Sequence, residues 1–339
     1  MMANLFESPT LFISHELRTP LTSIQGVLGL LQTGQLGDLS DEGYRLIAIA
    51  LNNANRLTRL ANTIEQAAVT PIKLLSSTEI EQLQLENSLH HALNQQQFQL
   101  VYQPIIETNP ERIVSFEALL RWQHPTQGDI SPTVFIPMAE RTGIIQQLGL
   151  WALKQACYQL ADWQRQFSGA PPISISVNLS VVQLLQPDLL QQIQQILQES
   201  KIAPGSLKLE ITETMLIANQ DVAIYLLSQF RSMGLQVYLD DFGTGYSSLA
   251  RLQDLPIDAL KIDRSFIQSK RWDISETIIL LASRLGLQVI AEGVETPEDS
   301  IALQSLGCNR MQGYFFSRPI AEVAATKLLK FYSDKHLNN

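Results

Sequence analysis

Six polar residues recur along the chain at intervals close to one strand plus one helix. Asn178 closes "SVN", Glu210 lies in "LEITE", Asp240 and Asp241 close "YLDD", Lys261 lies in "LKID", and Glu292 closes "IAEG". The steps from Asn178 to Glu210, Asp240, Lys261 and Glu292 are 32, 30, 21 and 31 residues. Glu117, in "FEALLRW", adds a carboxylate within another strand-like run. Carboxylates gathered in one place repel unless some are protonated or cations bind among them. A set of oxygen ligands without His or Cys favours Mg2+ or Mn2+ over zinc. The adjacent pair Asp240 and Asp241 invites a two-metal site with one bridging carboxylate, which stabilises both the attacking and the leaving oxygen of an in-line displacement at phosphorus. Lys261 sits between Leu260 and Ile262 in a strand pattern and therefore needs a partner or a pocket. A separate chemistry is offered by "SHELRTPLTSIQG", Ser14 to Gly26. A His on the exposed face of a helix can accept a phosphoryl group, Glu16 can take the proton, and Pro20 can loosen the helix around His15.

Two kinds of element must position these groups. From Leu17, the apolar residues Leu21, Ile24, Leu28 and Leu31 advance by alternating steps of four and three, the seam of a helix that packs in a bundle. Glycines in "TGQLGDLSDEG" stop that helix, and a second is predicted from about Asp41 to Gln66. A hairpin with one apolar stripe has too small a core alone, which predicts a dimeric four-helix bundle. Pro71 opens a linker, and a short helix is expected near Glu79 to Asn94. Eight strand-like runs then alternate largely with helical ones: "FQLVYQPI", "RIVSFEALLRW", "ISISVNLS", "LKLEITE", "LQVYLDDF", "IDALKID", "LQVIAEG" and "NRMQGY". That order predicts a parallel α/β architecture, a barrel by strand number, with a doubly wound open sheet as the structural alternative. In a barrel the C-terminal strand ends share one rim, so the polar residues above would converge there.

The rest of the composition narrows the class. The chain of 339 residues has a net charge of −9, which disfavours nucleic-acid duplexes as partners. Its two cysteines, Cys157 and Cys308, form neither a CxxC nor a Cys/His cluster, so packed thiols in a reducing cytoplasm are expected. The sequence has no uncharged apolar run of membrane-spanning length, and membrane insertion is not expected. "DFGTG" matches glycine patterns of two kinase types but lacks their companion motifs. His90, His91 and His124 read as non-ligands.

The motifs together resemble the EAL-domain phosphodiesterases, which hydrolyse the bacterial messenger cyclic di-GMP. They are "YQP" at Tyr102–Pro104, "EALLRW" at Glu117–Trp122, "VNLS" at Val177–Ser180, "LEITET" at Leu209–Thr214, "DDFGTGYSSL" at Asp240–Leu249, "KID" at Lys261–Asp263, "AEGVET" at Ala291–Thr296 and "QGYFFSRP" at Gln312–Pro319. The resemblance implies a modified (β/α)8 TIM-like barrel with one antiparallel strand, and the linear product pGpG. It implies that Glu117, Asn178, Glu210 and Asp240 ligate one divalent cation, Mg2+ or Mn2+, while Asp240 and Asp241 hold a second. Lys261 and Glu292 would position and deprotonate the attacking water, with Glu295 supporting that end. Arg121 would contact a phosphate, Gln103 and Gln312 would help hold the metals or the ligand, and Glu213 would anchor the "GTGYSS" loop, for instance through Ser247. One departure is the short segment "QSKRWDISET" between "KIDRSFI" and "AEGVET", which puts the following helix and any dimer contact it makes in question.

"HELRTPL" in turn resembles the phosphoacceptor box of histidine-kinase dimerisation domains, with His15 as the candidate acceptor. The expected organisation is a hairpin over residues 1–68, a linker over 69–82, the phosphodiesterase barrel over 83–332 and a tail over 333–339. The expected partners are cyclic di-GMP, a second copy of the chain, and a separate histidine kinase or response regulator. An inactive cyclic di-GMP receptor and a phosphorelay scaffold are the competing readings. Retention of the whole carboxylate set together with Lys261 favours the enzyme.

Overall fold

A computed structural model describes residues 9–32, 43, 47, 50, 51, 54, 57, 58, 77–169, 171–184, 186–213, 220–244 and 252–337. The chain forms two compact units, Met1–Gln84 and Leu85–Asn339.

In the first unit a helix spans Pro9–Gln32 and contains Pro20. It includes position 15, although the side chain of His15 lies outside the described residues. Most of the expected second helix also lies outside them, but positions 43, 47, 50, 51, 54, 57 and 58 are helical. Leu21, Ile47 and Ala54 are buried, and Gln25 Nε2 donates to Thr58 Oγ1 at 3.1 Å, which ties the two helical segments together. Ile24 and Val27 on the first helix stay about half exposed, at 48% and 51%.

Among the described residues the second unit is built on ten strands: β1 Phe98–Thr108, β2 Glu111–His124, β3 Gly128–Ile130, β4 Ser174–Asn178, β5 Leu207–Thr212, β6 Gln236–Phe242, β7 Ala259–Ile262, β8 Gln288–Ala291, β9 Arg310–Met311 and β10 Ile320–Ala321. Neighbours from β2 through β4, β5, β6, β7 and β8 to β9 pair in parallel. β1 closes the circle by pairing antiparallel with both β2 and β9. The closed eight-stranded barrel is thus made by the eight strand-like runs of the sequence, with β1 reversed; β3 and β10 add short antiparallel flanks. Parallel strands covered by helices are buried on both faces and read as continuous apolar runs, which is why β7, Ala-Leu-Lys-Ile, is buried at every position.

Helix termini are set by local chemistry. Ser131 accepts from Thr133 N ahead of Pro132 and starts the helix Pro132–Thr142, which Gly143 ends at φ 79°. The helix Ile145–Gln166 buries Leu148, Leu153, Ala156, Cys157, Leu160 and Trp163 along one stripe. Tyr102 meets Trp163 edge-on with centroids 5.1 Å apart, Phe116 lies tilted against it at 4.8 Å, and together they pin this helix to β1 and β2. Burial pushes the thiols of Cys157 and Cys308 up to about 12 and about 11. No described helix is long and apolar enough to cross a membrane.

A helix over Ser77–Ala92 precedes β1 and starts inside the segment expected as linker. Its Leu85, Leu89 and Ala92 pack with Phe98, Trp122, Phe135 and Leu148 in a cluster of their own. At the other end the helix Glu322–Leu337 runs on through most of the expected tail. Inside the barrel, Ile105, Val114, Tyr238, Ala259 and Ile290 form an apolar layer. Polar side chains lie on either side of it.

Candidate active site

The C-terminal strand ends converge on one ammonium group. Lys261, on β7, is fully buried, and its Nζ lies 2.6 Å from Glu292 Oε1, 2.8 Å from Glu210 Oε2, 3.1 Å from Asp240 Oδ1 and 3.3 Å from Glu117 Oε2. Each carboxylate comes from a different element: β2, β5, β6 and the turn after β8. A lysine at an inward position of β7 is retained because these four carboxylates offset its desolvation.

Amide side chains complete the ring. Asn178 Nδ2 donates to Glu117 Oε1 at 2.9 Å, and Gln312 Nε2 donates to Glu117 Oε2 at 2.7 Å and to Gln103 Oε1 at 3.1 Å. Gln103 Nε2 in turn donates to the Ser317 carbonyl at 3.1 Å. Gln103 and Glu117 face each other across the β1–β2 ladder, so strand register brings them together.

The two adjacent aspartates reach the site through a bulge. Along a regular strand, neighbouring side chains point to opposite faces. Between Leu239 and Phe242, β6 carries one more residue than β7 opposite it, and Asp241 takes φ 53° in the left-handed region. A bulge of this kind re-aims a side chain. As a result carboxylate oxygens of Asp240, Asp241 and Glu292 lie within 4.8 Å of one another. Asp241 N donates to Asp240 Oδ1 at 3.0 Å and holds the pair in place.

Electrostatics follow from five carboxylates around one ammonium. Burial pushes Glu210 well above its ordinary value, helped by Glu117 and Asp240 and opposed by Lys261. Burial likewise raises Asp240, and it pushes Glu292 up to about 8 against the pull of Lys261. Partial burial and the charges of Asp240 and Asp263 push Asp241 up to about 6. For Glu117 burial acts upward too, but Lys261, Gln312 and Asn178 outweigh it and hold this carboxyl below the usual range. Burial would lower Lys261, yet Asp240, Glu117, Glu210 and Glu292 raise it well above an ordinary lysine.

This donor set fits divalent cations. Glu210 Oε1 and Gln312 Oε1 are buried without a hydrogen-bond partner, which leaves acceptor oxygens aimed into the site. Fully ionised, the five carboxylates against one ammonium would leave four negative charges, the charge that two divalent cations would balance.

Other predicted residues stand apart from this cluster. Arg121 lies four residues beyond Glu117 on the same face of β2, and its guanidinium donates to the Leu120 carbonyl at 2.8 Å. Glu295 is exposed and accepts from Gln268 Nε2 at 2.9 Å. Glu213 Oε1 accepts from Gly243 N at 2.9 Å, so it holds the backbone just after the aspartate pair. Ser247 lies outside the described residues.

Positioning groups that sequence reading passed over lie in the turns. Asp299 Oδ2 accepts from the backbone of Glu295 and Thr296, while Thr296 caps the helix Pro297–Ser305 in return. The pattern Thr-Pro-x-Asp is a sequence signature of a capping box, and it fixes the turn that follows Glu292. Asp263 caps the helix Arg264–Gln268 directly after the Lys261 strand. Gly293 has φ 70°, and a Cβ there would lie 2.4 Å from Arg264 Cβ.

The EAL domain family profile matches residues 86–319. The His Kinase A (phospho-acceptor) domain profile matches residues 12–68. The chain is 37% identical over 315 residues to the uncharacterized protein sll1895 of Synechocystis sp., covering 90% of this chain and 44% of that one. It is 41% identical over 257 residues to the cyclic di-GMP phosphodiesterase NbdA of Pseudomonas aeruginosa, covering 74% of this chain and 33% of NbdA. Among solved structures, the PaMucR phosphodiesterase in complex with c-di-GMP superposes with a TM-score of 0.68 at 39% identity, covering 71% of this chain and 99% of that one. The chain thus spans between a third and under half of the length of these two curated relatives.

Proposed function

The chain belongs to the EAL domain family, and on that premise we propose that it hydrolyses one phosphodiester of cyclic di-GMP to give linear pGpG. The observation that supports this reading most is the burial of Lys261 among Glu117, Glu210, Asp240 and Glu292 at a barrel rim, with Asp241 turned inward beside them.

In this reading Glu117, Asn178, Glu210 and Asp240 would hold one divalent cation, and Asp240 and Asp241 would hold a second. Mg2+ or Mn2+ bound there would stabilise charge on the phosphodiester oxygens and favour ionisation of the attacking water. Lys261 keeps its protons, since four carboxylates surround it, and so acts by orienting them and by meeting negative charge that develops at phosphorus. Glu292 is the group placed to accept a proton from water. The chain Ser317, Gln103, Gln312 and Glu117 fixes one ligand carboxylate in a single orientation. Arg121, further along the same strand face, is placed for a phosphate of the substrate.

The hairpin is proposed as the regulatory part. Its exposed Ile24 and Val27 suit a second copy of the chain in a four-helix bundle. Phosphorylation of His15 by a separate kinase would add charge to that bundle and shift helix packing.

The test is turnover of cyclic di-GMP with Mg2+ or Mn2+ by the purified protein, beside Glu117→Ala and Lys261→Ala. The parent is expected to release pGpG, and each variant to lose roughly a thousandfold in rate, the scale of losing a preorganised electrostatic group. Tight binding of cyclic di-GMP by the parent without turnover under either metal would replace the enzyme with a receptor.

A further inference from the structure

The barrel has a second mouth, at the N-terminal ends of its strands. Below the apolar layer of Ile105, Val114, Tyr238, Ala259 and Ile290 lies a cavity of about 200 Å3 lined by Arg112, Ser206, Lys208, Gln236, Gln288 and Arg310. Its polar character comes from inward positions at the starts of β2, β5, β6, β8 and β9.

Lys208 is only 6% exposed, and no carboxylate among the described residues pairs with it. Its ammonium rests over the ring of Tyr238, 4.9 Å from the centroid. That contact replaces little of the hydration lost on burial, so Lys208 lacks the counter-charge that buried lysines have. Lys261, at the other end of the barrel, has four such partners.

The neighbouring guanidinium groups are held in place. Glu107 pairs with Arg112 at 2.6 Å and with Arg310 at 3.3 Å, and Arg310 also donates to Gln288 Oε1. Three cations and one carboxylate leave two positive charges at this mouth, in a chain whose net charge is −9. A second cleft of about 360 Å3 shares Arg112 and Ser206 with the cavity and adds Phe167, Leu329 and Tyr332. The anionic end of a ligand and an apolar body would therefore find adjacent but different surroundings.

We propose that this mouth binds a phosphate monoester with an apolar or aromatic body, its dianionic group between Lys208, Arg112 and Arg310 and its body against Phe167 and Tyr332. Two positive charges match the dianion, and guanidinium groups fixed by Glu107 offer preset donors to its oxygens. The assignment is independent of the chemistry at the opposite rim.

Calorimetric titration of the full chain with phenyl phosphate, in EDTA so that no cation at the other rim captures phosphate, tests it. Inorganic phosphate, phenol and benzoate serve as the comparison ligands. Phenyl phosphate is expected to bind saturably and about tenfold more tightly than each of the three. Lys208→Met should weaken it at least about tenfold, and Phe167→Ala should remove the advantage over inorganic phosphate. A thermal melt checks that Lys208→Met is folded; if it is not, Arg112→Gln, at a more exposed position, takes its place with the same expected loss. Absence of saturable binding to the parent at millimolar phenyl phosphate, equal binding by the folded cavity variant, or equal binding of benzoate would each overturn the proposal.

Discussion

Lys261 and the carboxylates around it make the site a store of unbalanced charge, and that imbalance should be visible in stability as well as in turnover. Burial raises Glu292 from 4.5 to about 8, and Asp241 and Glu210 move in the same direction. A carboxyl raised in the folded state keeps its proton while the unfolded chain has already lost it. Its contribution is therefore complete below the unfolded value, near 4.5, and is lost as pH rises through about 8. Without divalent cations the protein should melt lower at pH 8 than at pH 5.5, by roughly 5 °C. Mn2+ should remove that difference, since cations bind the ionised carboxylates that the higher pH creates. Scanning calorimetry at the two pH values with EDTA or Mn2+ would reveal this, and an equal melting point in EDTA would count against the charge assignment. Asp241 offers a second check because it has both a charge and a left-handed backbone. Asp241→Asn should keep the fold, since Asn tolerates that conformation, and lose most turnover. Asp241→Val should lose turnover and in addition about 1–2 kcal/mol of stability, read from denaturant unfolding.

Among the elements, turns decide whether strand ends converge, and two glycines separate backbone strain from close packing. Gly293 and Gly286 both have φ 70°, but a Cβ at Gly293 would meet Arg264 while one at Gly286 meets open space. Gly286→Ala should cost about 1 kcal/mol from the left-handed backbone alone and leave turnover nearly unchanged. Gly293→Ala should cost more, roughly 2–4 kcal/mol, and reduce turnover at least about tenfold, because its turn carries Glu292. Paired unfolding curves and rates would sort the two. The strands themselves were legible: apolar runs of buried parallel strands stand out, and the polar residues that break them mark the rim. The bulge in β6 was not, since nothing in "YLDDF" says that both aspartates face one side. Arg121 and Glu295 have the right residue types, yet spacing alone did not reveal that Arg121 donates to its own strand's backbone and that Glu295 accepts from Gln268. The helix Ser77–Ala92 was legible to within two residues of its start, expected near Glu79, and Leu85, Leu89 and Ala92 are the positions that anchor it.

For the molecule as a whole, the second unit has a large core of its own, which runs from Tyr102 to Leu329. A truncated chain that begins at Ser77 should fold and turn over cyclic di-GMP within about threefold of the full chain in the absence of any kinase, whereas one that begins at Phe98 should be destabilised by several kcal/mol through loss of Leu85 and Leu89. Rates and melting points of both, with light scattering for assembly state, would check the division of labour. Loss of turnover from the Ser77 truncation would mean that the hairpin supports the site directly. The reversed direction of β1 has a further consequence for wiring. If every strand of a barrel ran the same way, the chain would enter at the end opposite the site, and an upstream input would have to be felt across the full height of the barrel. Here β1 begins beyond the catalytic rim, with Phe98 opposite Trp122, and the helix before it packs on both residues. Arg121 is the next residue to Trp122, so under the proposed role of Arg121 a turn of that helix would act beside a group placed for the substrate phosphate. An inlet on the working side makes the barrel a socket: different upstream modules joined at the same helix would drive the same short lever.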